Sequence, residues 1–139
     1  METETALQAA RETHQSILVT LKSDGLPQLS NVLHTVGEDG VVRISITTGR
    51  AKYANLRRRP WAALHVNGSS FWSYAVLEGE VSLSAPAEAP DDATVDELVE
   101  LYRAISGEHE DWDDYRAAQV DQHRVVVRFT PTRGYGLLR

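Results

Sequence analysis

The amino-acid sequence predicts a mainly β chain with peripheral helices, folded as a small antiparallel barrel of six strands. Three observations carry that expectation. Runs of β-branched residues alternate with polar ones, as in Val42-Arg43-Ile44-Ser45-Ile46-Thr47, which is the pattern of a half-buried strand. Turn-forming clusters separate the runs at Ser23-Asp24-Gly25, Gly37-Glu38-Asp39-Gly40 and Asn67-Gly68-Ser69-Ser70. A glycine interrupts a long run at Glu78-Gly79-Glu80, where a bulge lets a sheet curl on itself and close, or partly close, as a barrel.

The elements follow in order. Leu7, Ala10 and His14 stand at helical spacing between Glu4 and His14 and predict a short amphipathic helix lying on the core. Ser16 to Leu21 reads as the first strand and Pro27 to Val36 as the second, with Gly25 in the turn between them. The third strand ends near Thr47, and the first three are expected to pair sequentially. Gly49 stops the strand; Ala51, Ala54 and Leu56 then favour a helix from Arg50 to Arg58, which Pro60 terminates. Trp61 to Val66 and Trp72 to Ser84 give the fourth and fifth strands, and Ala85 to Pro90 a linker. Thr94 and Glu97 match a capping box for a helix whose face is Val95, Leu98, Val99 and Tyr102, ending near Gly107. Trp112, Tyr115 and Ala118 mark another helical face behind the acidic turn Glu108 to Asp114. Arg124 to Phe129 is the last strand, and Gly134-Tyr135-Gly136 reads as a terminal turn.

Composition narrows the function. The 139 residues fit one domain, 1–139, and an apolar fraction of 42% supports a core. A net charge of −6 argues against general nucleic-acid binding, and the absence of cysteine removes disulfides, thiol nucleophiles and thiolate metal sites. No run reaches the length of a bilayer crossing and no signal-like segment opens the chain, so a cytoplasmic protein without membrane partners is expected. The five histidines lack metal-ligand spacing, and no metal site is expected. There is no Gly-x-Ser-x-Gly elbow, and no residue declares itself a catalytic acid.

The chemistry concentrates at Thr47-Thr48-Gly49-Arg50-Ala51-Lys52. A strand, a tight turn and a helix start place free backbone N–H groups beside a guanidinium and an ammonium, which together can seat a phosphate. The alternative is an exposed basic surface, although cations at a helix start oppose its dipole. Arg57-Arg58-Arg59 reads as a solvated basic face that can attract an acidic ligand. Trp72-Ser73-Tyr74 fits either core packing, an interface, or an aromatic wall for a flat heterocycle.

Four motifs in order, Gly25-Leu26-Pro27-Gln28-Leu29-Ser30-Asn31-Val32, Arg50-Ala51-Lys52 with Asn55-Leu56-Arg57-Arg58, Phe71-Trp72-Ser73-Tyr74 and Gly107-Glu108-His109-x-Asp111-Trp112-Asp113-x-Tyr115-Arg116, give the chain a specific resemblance. It resembles the deazaflavin (coenzyme F420)-dependent branch of the pyridoxamine 5′-phosphate oxidase-like split β-barrel superfamily. The resemblance implies a split barrel of the FMN-binding type, a homodimer with one cofactor in each of two interface clefts, and an F420H2-dependent reductase of electron-poor conjugated or heteroaromatic compounds. Carried over by position, Arg50 and Lys52 would bind the cofactor phosphate, Thr47, Thr48 and Ala51 would shape its turn, and Ser30, Asn31 and Val32 would lie along the ring system. Asn55 would support the phosphate loop or the cofactor tail, and Trp72, Ser73 and Tyr74 would approach from the interface side. Two alternatives stand beside this: an FMN-dependent oxidoreductase on the same barrel, and an F420 carrier without turnover. The chain lacks the C-terminal substrate-phosphate region of true pyridoxamine phosphate oxidases, so that activity is not expected.

Overall fold

A computed structural model describes residues 1–139. The elements are α1 (Thr3–Arg11), β1 (Gln15–Leu21), β2 (Pro27–Leu33), β3 (Thr35–Val36), β4 (Val42–Thr47), α2 (Ala51–Arg58), β5 (Trp61–Asn67), β6 (Tyr74–Leu83), α3 (Ala93–Ser106), α4 (Trp112–Asp121) and β7 (Arg124–Leu137). The strands form one antiparallel sheet in the order β2-β1-β5-β6-β7-β4-β3.

That order explains the shape. β2 and β3 lie on opposite margins of the sheet, yet a single residue, His34, separates them in the chain. The margins therefore meet, and the sheet must roll into a barrel that hydrogen bonds do not close between β2 and β4. The second strand expected from Pro27 to Val36 is thus two, which makes seven strands rather than six. The sequential pairing expected of the first three predicted strands holds, β1 with β2 and the short β3 with β4, and β4 also pairs along its length with β7.

Alternation along the strands fills the barrel. Leu18, Ile44, Leu64, Leu77, Val127 and Phe129 are all buried in one core, onto which α1 sets Ala6, Leu7 and Ala10. The pairing of β6 with β7 shifts register between Glu78 and Gly79, as the sequence predicts for a curling sheet. A Cβ at Gly79 would run into the Thr130 carbonyl, so only glycine lets the strands approach there. β7 continues well past Phe129, because Gly134-Tyr135-Gly136 is not a turn but pairs with Leu77, Val76 and Ala75. The expected capping box at Thr94 and Glu97 is also replaced. Asp92 caps α3 by accepting from the Val95 N–H at 2.8 Å, while Glu97 reaches down to Arg43 and Arg128 on the sheet. No helix is long and apolar enough to cross a membrane.

Candidate functional site

The unsealed seam between β2 and β4 opens a cavity of about 460 Å³. β2 supplies Asn31, Val32 and Leu33, β4 supplies Ser45, Ile46 and Thr47, and the turn into α2 adds Arg50 and Lys52. α3 and α4 cover it with residues that include Tyr102, Tyr115 and Gln119, and Arg124 enters from the start of β7.

Three cations converge on this space. Arg50, Lys52 and Arg124 form no ion pair, whereas Arg43, Arg103, Arg116 and Arg128 each hold a carboxylate. Lys52 has its pKa lowered, first by burial and then by the charges of Arg50 and Arg124. Arg124 is lowered likewise, mainly by burial, with Arg50 adding to the effect. Its guanidinium donates to Gln122 Oε1 at 2.9 Å and Ser45 Oγ at 3.3 Å, both neutral acceptors. Repulsion between the half-buried Lys52 and Arg124 and the exposed Arg50 is relieved by an anion. α2 also begins with no side-chain cap on its first turn and no acidic residue in it, leaving first-turn N–H groups for such a ligand.

The seam adds a second kind of recognition. β2 has only β1 as a neighbour, so the backbone groups on its other edge are unpaired and face the opening. A planar heterocycle with amide-like edges can take up those bonds. Tyr115 is a fixed wall: its hydroxyl donates to the Leu98 carbonyl at 3.0 Å, and burial pushes its pKa up to about 12, so it stays neutral.

Of the twelve residues predicted from the sequence, five line the cavity: Asn31, Val32, Thr47, Arg50 and Lys52. Ser30, Thr48 and Ala51 adjoin these in the chain. Asn55 lies apart from the cavity lining, buried, with its amide donating to Thr20 Oγ1 at 3.1 Å and Gln28 Oε1 at 2.9 Å, which braces α2 against β1 and β2. Trp72, Ser73 and Tyr74 do not reach this cavity within one chain: Trp72 is exposed, the Ser73 hydroxyl accepts from the Arg139 N–H, and Tyr74 stacks on His65. Arg124 and the α3–α4 cover were missed. The pairing of Thr47 with Arg124 brings that arginine to the anion site, and strand pairing over such a separation is not written in local pattern.

Comparison with known proteins agrees with this architecture. The family model described as pyridoxamine 5′-phosphate oxidase matches residues 3–138. A conserved hypothetical protein from Mycobacterium tuberculosis superposes with a TM-score of 0.71 at 19% identity, covering 96% of this chain and 82% of the other. A protein named F420 reductase gives 0.69 at 23% identity, over 92% of this chain and 94% of its own. The heme storage protein HutZ from Vibrio cholerae gives 0.68 at 14% identity, over 98% and 95%. At these identities the likeness is one of fold.

Proposed function

Because the chain belongs to the pyridoxamine 5′-phosphate oxidase family, we propose that it is an oxidoreductase of the F420-dependent branch, reducing an electron-poor conjugated or heteroaromatic small molecule. The observation that carries the reading is the trio of unpaired cations in the seam of the barrel. Arg50, Lys52 and Arg124 hold the cofactor phosphate, Arg by paired contacts and Lys as a point charge. The free edge of β2 at Ser30 to Val32 orients the ring, and Tyr102 and Tyr115 exclude water on the covered side. When bound, reduced coenzyme F420 supplies a hydride, and the protein's part is to position it. Asn55 acts at one remove by holding α2 in place. Trp72, Ser73 and Tyr74 come from a second copy of the chain, which makes the active form a homodimer.

FMN on the same seat is the second reading. It is favoured by the number of cations, since three suit the dianion of a terminal phosphate as well as the single charge of an internal phosphodiester. Titration of the purified chain with F420 and with FMN separates the two. F420 binds at least tenfold tighter on the present reading, and the reverse order assigns the chain to flavin. Arg124→Ala lowers F420 affinity by about 10- to 100-fold, as expected for losing a charge-assisted contact. Oxidation of F420H2 by added conjugated enones or quinones distinguishes an enzyme from a carrier.

A further inference from the structure

A second cavity, of about 590 Å³, adjoins the first along β2 and shares Asn31, Val32 and Leu33 with it. Both touch the segment that orients the cofactor ring in the reading above, on which this inference rests, so an acceptor in the second borders on the ring held in the first. Their chemistry differs. The first holds three cations, whereas no charged residue lines the second, whose polar groups are Thr13, Gln15, Ser16, Asn31, His65 and Asn67. An anion has no partner there. A neutral molecule with hydrogen-bonding oxygens has several.

His65 is the distinctive member. Strand register sets Asn31, Ile17, His65, Val76 and Tyr135 in one row across the outer face of β2, β1, β5, β6 and β7. The imidazole stacks on Tyr74 at 5.5 Å between centroids and 15° between planes, which fixes its orientation. Its Nδ1 is buried and has no hydrogen-bond partner. A neutral imidazole carries one proton, and a buried N–H without an acceptor is costly, so the proton belongs on Nε2. The ring thus keeps a donor for the cavity it lines. By contrast, both ring nitrogens of His34 are engaged.

The surroundings also call for an occupant. Exposed Leu33, Tyr135 and Leu137 belong to the same outer face, and a second copy docking on it would bury this polar hollow. Polar groups buried without partners cost free energy, and a bound carbonyl compound supplies those partners.

We propose that this cavity seats the electron acceptor, a neutral conjugated carbonyl compound, with the His65 Nε2–H donating to its oxygen. The same bond strengthens as a hydride from the reduced cofactor adds to the conjugated carbon and the C=C electron pair shifts toward that oxygen, a proton from solvent then completing the saturated carbonyl compound. His65 is therefore a substrate-orienting donor and lies outside the phosphate seat.

The test uses cyclohex-2-enone as probe. In 15N-histidine NMR spectra of the full chain without cofactor, the enone shifts the His65 ring signals saturably and leaves those of His34 in place. His65→Leu weakens enone binding to the cofactor-free chain at least tenfold, and His65→Gln, which keeps an N–H near the Nε2 position, recovers most of the loss. An unmoved His65 signal at saturating enone overturns the proposal, as does equal enone affinity in the Leu variant. The NMR arm needs neither cofactor nor variant, so it stands if His65→Leu fails to fold. If the chain binds no F420 yet the enone moves His65, the cofactor reading fails and the acceptor site survives.

Discussion

His34 carries the chain from one margin of the sheet to the other inside the core, and all of its polar atoms are used. Its N–H donates to the His14 carbonyl at 2.8 Å, and its own carbonyl meets His14 Nδ1 at 3.0 Å. Since a carbonyl can only accept, Nε2–H donates to Ala10 O at 2.8 Å, and Nδ1 then accepts from the Ser16 hydroxyl at 2.7 Å. Burial lowers the pKa of the ring, and neighbouring His14 pushes in the same direction. The unfolded chain therefore takes up this proton before the folded chain does. Stability from His34 is complete above the unfolded value near 6.5 and is lost as pH falls below it, continuing to the folded value. The expected slope is at most about 1.4 kcal/mol per pH unit. Urea unfolding at pH 7.5, 6.5 and 5.5 measures it, and His34→Gln, which keeps a donor for Ala10 but cannot charge, should be less stable at pH 7.5 yet flat across the series. Parallel slopes for the two proteins would refute the assignment. Neither the crossing nor the burial shows in the sequence, where His34 sits in an unbroken strand-like run. Arg50 and Lys52 did show, because a strand end, a glycine and clustered cations are local signals.

Among the elements, α3 adds to its buried face of Val95, Leu98 and Val99 a charged side chain that ties it to the sheet. Arg43 on β4 and Arg128 on β7 are direct cross-strand partners, a like-charge arrangement that by itself disfavours the pairing. Glu97 reaches down from α3 and accepts from Arg43 Nε at 3.1 Å and Arg128 Nε at 2.9 Å, tying the helix that covers the first cavity to the strands that floor it. Hydrogen bonding from Arg128 leads the causes that hold its carboxyl below the usual range. The group is partly exposed, so solvent screens part of the gain. Glu97→Ala should cost about 1–3 kcal/mol in chemical unfolding, and adding Arg128→Thr should recover part of it by removing the repulsion. Faster amide exchange confined to α3 and α4 would accompany the single change; a loss that the second substitution deepens by its full independent cost would count against the bridge. The existence of α3 was legible from Val95, Leu98, Val99 and Tyr102, since periodicity is a local property. Its cap was not. Glu97 fits a capping box equally well on paper, and only the proximity of two arginines from distant strands decides which bond it makes.

At the scale of the whole molecule, an antiparallel barrel was readable from alternation and turns, while its unclosed seam depends on strand order, which no local pattern records. The outer face of that barrel poses the remaining question. Leu29 on β2, Phe71 and Trp72 in the β5–β6 turn, and Tyr135 on β7 are 60%, 77%, 68% and 50% exposed, large apolar side chains whose contact with water is costly. A second copy covering this face would explain why Trp72, Ser73 and Tyr74 lie away from the cavity of their own chain, because they would then complete the cavity of the other. Light scattering should report a dimer, and Tyr135→Glu should shift it toward monomer with weakened F420 binding. Shared sites allow a sharper experiment. Lys52→Ala and Trp72→Ala each damage one half of a composite site, and unfolding and reassociating the two variants together mixes their subunits. If Lys52 and Trp72 serve one site from different protomers, each mixed dimer holds one doubly damaged site and one intact site. Random reassociation then restores about a quarter of wild-type F420 sites. If both residues act within one chain, every site in the mixture keeps a defect, and affinity stays at the level of the separate variants.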